Sequence, residues 1–186
     1  MPGPVLEDGS EVDVGEPARR GVARFLVLAL PMMLLLYGAI YFPHRAGSPA
    51  ARALTAYVNL VAMLAGGALH LFDRSDTVSG NQIGGRFPLS IILDCSALDA
   101  QALFAAAVLA TRARWSDKLV GLTAGIALLV AVNLGRIATL YFVGVRAPRL
   151  FHVLHEEILQ MAIVVCALLV FGAWALWASD RRDARS

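Results

Sequence analysis

Three polar residues in a mostly apolar chain can do chemistry together: Cys95, Arg136 and His155. A thiol nucleophile needs a base that takes its proton and later returns it. Acyl transfer also needs a cation or donor facing the developing oxyanion. Cysteine, histidine and arginine fill these roles. Each residue also has a plainer reading. Cys95 can be a small apolar filler, since free cysteines are often buried and inert. Arg136 can snorkel toward the near end of its segment. His155 can be satisfied by headgroups or water.

The spacing brings the three to one level. A short basic turn, Arg112–Lys118, is centred near Trp115. Cys95 and Arg136 lie roughly 20 residues to either side of it, about 30 Å away at the helical rise. His155 opens the next apolar segment from the same end. The expected site therefore lies at one membrane face. Asn133 precedes Arg136 by three residues on the same helical face, where it can orient the arginine. His152 precedes His155 by three and is expected to share its face. A charge within a membrane segment costs several kcal/mol, so Arg136 is expected to face protein or water. Cys95 opens a helix, which lowers a thiol pKa, while Asp94 either opposes this or caps the helix.

The elements that must position these groups are membrane spans. Of 186 residues, 58% are hydrophobic and 16% charged, with mean hydropathy +0.66. A soluble domain carries about a quarter charged residues. The apolar blocks have spanning length, so the fold class is an all-α polytopic transmembrane bundle. About five spans are expected: Val22–Phe42, Ala53–Phe72, Ser96–Thr111, Leu119–Val145 and His155–Ser179. Residues 1–20 read as a disordered polar tail, 21–179 as the transmembrane domain and 180–186 as a basic cytoplasmic tail. The long acidic stretch ahead of the first span argues against a cleavable signal peptide. Residues 73–93 are rich in turn residues and read as a short extended or hairpin segment on the membrane surface. Trp174 and Trp177 read as an interfacial belt.

The net charge of +2 and the placement of basic residues at segment ends give no nucleic-acid face. The positive-inside rule puts the 112–118 turn and the C-terminus in the cytoplasm, so Cys95, Arg136 and His155 face outward. Five full crossings put the N-terminus outside, whereas a partial crossing by 53–72 returns it to the cytoplasm. His152, His155 and Glu156 lack a second ligand group at metal spacing, so neither metal nor other cofactor is expected. Cys95 and Cys166 lie at different depths, which excludes a disulfide.

Cys95-Ser96, Asn133-Leu-Gly-Arg136 and Phe151-His-Val-Leu-His155 resemble the three signature regions of the exosortase/archaeosortase family. The short chain, with one span after the arginine helix, is similar to compact H-type exosortases. The resemblance covers roughly residues 55–175 and is densest over 85–160. It implies a cysteine transpeptidase or peptidase in a prokaryotic cytoplasmic membrane. Its substrates would be exported proteins with a C-terminal motif, transmembrane helix and basic tail, passed to a surface acceptor. By position, Cys95 is the nucleophile, Arg136 the oxyanion stabiliser and His155 the acid/base, with Ser96, Asn133 and His152 in support. Two positions depart from the family pattern: Asp94 replaces an uncharged residue, and Ala97 stands where glycine is usual. The alternative from a different class is a non-enzymatic bundle, a small transporter or assembly partner, with Arg136 and Asn133 in a polar path.

Overall fold

A computed structural model describes residues 15–42, 44–72 and 77–184. Residues 1–14 of the expected disordered tail lie outside the described residues. The helix α1 (Gly15–Tyr41) already includes residues 15–20 and carries Pro31 within it. Next come α2 (Pro49–His70), β1 (Val78–Ser79), β2 (Gln82–Ile83) and β3 (Leu89–Ser90). A 3₁₀ turn (Leu93–Cys95) leads to α3 (Leu98–Ala110), then α4 (Trp115–Arg146). The last stretch is helical throughout: α5 (Pro148–Val153), a π-helical turn (Leu154–Ile158) and α6 (Leu159–Asp183).

Among the described residues, four helical stretches are long and apolar enough to cross a membrane: Arg19–Tyr41, Pro49–His70, Trp115–Arg146 and Pro148–Asp183. The expected span Ser96–Thr111 is instead α3, 13 residues long. That is about 20 Å of helix, short of a hydrocarbon core of about 30 Å. Its ends have clear causes. Ala97 is left-handed (φ 55°, ψ 24°), which breaks the helix from the preceding turn, and Thr111 is extended. Apart from Asp99 and Gln101 the short helix is apolar, and none of its residues is fully exposed, as befits an element packed on all faces. Ala100, Ala102, Phe104, Ala106, Val108 and Ala110 are all buried. It contacts α1, α4 and α6.

Small residues let α4 approach its neighbours. Gly121 and Gly125 are one turn apart on α4. A Cβ at Gly125 would meet the Phe104 ring of α3, and one at Gly121 would meet the Trp174 indole of α6. Such close approach is how helices associate where lipid removes the hydrophobic drive. Trp174 is thus buried, and its Nε1 donates to the Asp117 carbonyl at 3.0 Å. It is a core wedge and not the interfacial residue expected from its neighbours. Trp177 does carry a cation, with the Arg181 guanidinium 4.8 Å from its ring centroid.

The segment before the cysteine is a three-stranded antiparallel meander in the order β1-β2-β3. Val78 pairs with Ile83, and Ile83 with Leu89. Gly80, at φ 60°, supplies the positive φ that a two-residue hairpin turn requires. Ile83 and Ile91 bury their side chains against α2 and α4, in a core that also holds Cys95, Ile137 and Tyr141. The second core begins at Ala97 and runs through α3, α4 and α6 to Ala178. The cysteine turn therefore lies on the seam between the two cores.

Gly125→Val should cost about 1–3 kcal/mol by overpacking Phe104. Gly135, also on α4, has nothing within 4 Å of an added Cβ. Gly135→Ala should leave stability unchanged or raise it by up to about 1 kcal/mol. Thermal unfolding of both variants in detergent checks the pair; equal behaviour would argue against the α3–α4 contact.

Candidate active site

Cys95 ends the 3₁₀ turn that follows the meander. The turn is closed locally: the N–H groups of Cys95 and Ser96 donate to the carbonyls of Ile92 and Leu93, each at 3.0 Å. The Ser96 hydroxyl donates to Leu93 O at 2.6 Å. The turn is also tied to its surroundings. Asn133 Nδ2 donates to Cys95 O at 3.0 Å, and Tyr57 OH to Ser96 O at 3.4 Å. Gln101 Nε2 in turn donates to Tyr57 OH at 2.7 Å. Asn133 therefore holds the cysteine backbone and makes no hydrogen bond to Arg136.

His155 meets this turn from the other side. Its Nε2 lies 3.0 Å from Cys95 Sγ. The π-helical turn Leu154–Ile158 carries it, and such widened turns recur at functional sites. Phe151, one turn earlier, stacks on the His155 ring with centroids 5.5 Å apart and planes at 9°. His152, three residues before His155, differs from it in exposure. His152 is 79% exposed in its side chain and lies 3.1 Å from Glu156. Among the described residues it makes no hydrogen bond to Cys95, Arg136 or the His155 side chain.

Arg136 is buried beside them. Its Nη2 donates to Gln160 Oε1 at 2.8 Å and to the His155 carbonyl at 3.4 Å. Gln160 Nε2 then donates to Asp99 Oδ2 at 3.0 Å. The amide thus stands between a guanidinium and a carboxylate and joins α3, α4 and α6. Among the described residues, the buried side-chain N and O atoms without a protein partner are Asp99 Oδ1, Asn133 Oδ1, and Arg136 Nε and Nη1. All belong to this cluster. Buried polar atoms are nearly always paired in folded proteins, so such a concentration marks a place with unspent hydrogen-bonding capacity.

Two expectations about Cys95 are corrected. The thiol is not at the first turn of α3, because the left-handed Ala97 intervenes. Asp94 does not cap that helix; its Oδ1 accepts from Tyr41 OH at 3.2 Å. Cys95 is 7% exposed, and burial pushes its thiol above the ordinary value. The Ile92 backbone and the Arg136 charge pull it down, and Asp94 pushes it up, but burial prevails. Burial therefore favours the neutral thiol. The left-handed backbone at position 97 also has a cost. A left-handed residue with a Cβ costs about 1–2 kcal/mol, and glycine avoids this. Ala97 accepts that strain while fully buried.

Gln160, Asp99, Tyr57 and Gln101 escaped the sequence reading. Their signal was polarity within apolar segments, which normally marks a role.

A small uncharged alkylating reagent should modify Cys95 with a midpoint above about pH 8.5, the ordinary thiol value. In Gln160→Ala the freed guanidinium can swing to Asp99, so the midpoint should move higher. Gln160→Ala/Asp99→Asn removes that attractor and should move it back. Identical profiles in all three proteins would deny Gln160 a part in placing the Arg136 charge.

Comparison with protein families matches residues 18–178 to Transmembrane exosortase (Exosortase_EpsH). No curated protein and no solved structure gives a significant match. The matched region runs from α1 almost to the end of α6 and contains Cys95, Arg136 and His155. With its four membrane-length helices and short central helix, this chain belongs to the transmembrane exosortase family.

Proposed function

We propose that this protein is a membrane-embedded cysteine peptidase or transpeptidase that processes C-terminal sorting signals of exported proteins. The observation that carries the reading is the 3.0 Å approach of Cys95 Sγ to His155 Nε2, with the Arg136 guanidinium buried alongside. Nucleophile and base at hydrogen-bond distance, with the base held in place, form the arrangement that covalent acyl transfer requires.

In the first half-reaction, His155 carries its proton on Nδ1 and Nε2 takes the thiol proton. Sγ bonds to the scissile carbonyl carbon, and the carbonyl oxygen becomes an oxyanion. The backbone amides of Cys95 and Ser96 are already used within the 3₁₀ turn. Arg136, with Nε and Nη1 unpartnered among the described residues, is the donor that remains for this charge. The C–N bond then breaks, and His155 returns its proton to the leaving amine. In the second half-reaction an acceptor amine, or water, gives a proton to His155 and attacks the thioester carbonyl. Sγ leaves and is reprotonated.

Asn133 favours this reading over a polar transport path, because its amide is engaged by the Cys95 carbonyl. The family match over residues 18–178 favours it independently. The substrates in this reading are exported proteins bearing a motif, a transmembrane helix and a basic tail. The enzyme sits in the bacterial cytoplasmic membrane with Cys95 outward and the basic residues of 112–118 and the C-terminus inward.

Co-expressed with a tagged sorting-signal substrate, Cys95→Ala should abolish processing. His155→Ala should slow it by about 10²–10⁴-fold, the usual weight of general acid–base catalysis. Undiminished processing by Cys95→Ala would sink the proposal. Orientation is a separate matter. A small membrane-impermeant thiol reagent should reach Cys95 in intact cells; reaction that requires permeabilisation would invert the topology.

A further inference from the structure

At the opposite end of α4 from the cysteine site, four arginines converge. Arg112 and Arg114 come from the α3–α4 turn, and Arg181 and Arg182 from the end of α6. They line a cavity of about 680 Å³. Asp117 is the one carboxylate among its lining residues, and Arg181 holds it at 3.5 Å. Arg182 Nη2 donates to Arg112 O at 2.7 Å, which draws the two segments together. Arg112 and Arg114 are exposed, and among the described residues neither side chain has a partner. The cavity thus holds a clear excess of positive charge with guanidinium donors to spare.

Membrane orientation explains why arginines gather at this end. It does not explain why four of them surround one cavity. Like charges repel, so convergence without matching carboxylates points to an anionic ligand. Guanidinium forks match phosphate oxygens in geometry and charge. The cavity also lies beside Trp115, 69% exposed, and Trp177, residues suited to the headgroup level. Basic pockets between transmembrane helices at that level recognise anionic headgroups.

We propose that this cavity is a phosphate-binding site whose ligand is the phosphodiester headgroup of an anionic phospholipid. The proposal is independent of the chemistry at Cys95.

The test uses the full chain, delipidated in a neutral detergent and titrated with phosphatidylglycerol, phosphatidylcholine or inorganic phosphate. The readout is the midpoint of thermal unfolding. Phosphatidylglycerol should raise the midpoint saturably, and phosphatidylcholine should not. Arg112→Gln/Arg114→Gln, which removes no internal bond, should weaken the phosphatidylglycerol response at least tenfold. Full stabilisation by inorganic phosphate would keep the phosphate site and overturn the lipid as its source. Equal responses to the two lipids, or an unchanged response in the double variant, would overturn the site itself.

Discussion

A buried guanidinium in an apolar bundle is the constraint on which the rest of this structure depends. Lipid offers Arg136 no hydrogen bonds, so the protein must supply them. It does so through Gln160, backed by Asp99, and through the His155 carbonyl. Because these groups come from α3, α4 and α6, solvating the charge also fixes three helices at one level. A direct ion pair with Asp99 would neutralise Arg136. The intervening amide keeps the carboxylate one bond away, and the guanidinium keeps Nε and Nη1 unpartnered among the described residues.

The cysteine is held by a second set of interactions that act on backbone. Asn133 and Tyr57 take the carbonyls of Cys95 and Ser96, and the 3₁₀ turn takes their amides. The turn lies where two packed cores meet, so the thiol is placed by rigid elements on both sides. That burial has a chemical consequence. It favours the neutral thiol, and in the proposed reaction the base would be His155, whose Nε2 is 3.0 Å away. Ala97 belongs to the same arrangement, since the left-handed bend there aims the chain from the turn into the short central helix.

The two ends of the bundle differ in kind. Around Cys95, polar atoms are few, buried and bonded across helices. At the basic end, Lys118 Nζ closes the last turn of α3 through Leu109 O at 2.6 Å, and Arg182 bonds the next turn at Arg112 O. There the charges do structural work on backbone carbonyls, and among the described residues the Arg112 and Arg114 guanidinium groups have no partner.

Much of this was legible in the sequence, because lipid makes apolar length a direct readout of spanning helices. The approach of Cys95, Arg136 and His155 followed from the helical rise on either side of the Trp115 turn. What the chain could not reveal were departures from regular geometry. A left-handed Ala97 and an extended Thr111 cut an apparent span to a short central helix. His152 lies exposed against Glu156 while His155 meets Cys95, a difference that their spacing does not show. Trp174 turned inward because Gly121 leaves room for an indole, a fact visible from neither residue alone. Gln160 and Asp99 meet Arg136 from separate helices. Sequence by itself determined which long helices are apolar enough to cross a membrane, the short α3 apart, and which polar groups they carry, because hydropathy is local. Only the tertiary structure decided which of those groups face one another, because helix rotation is set by packing against neighbours.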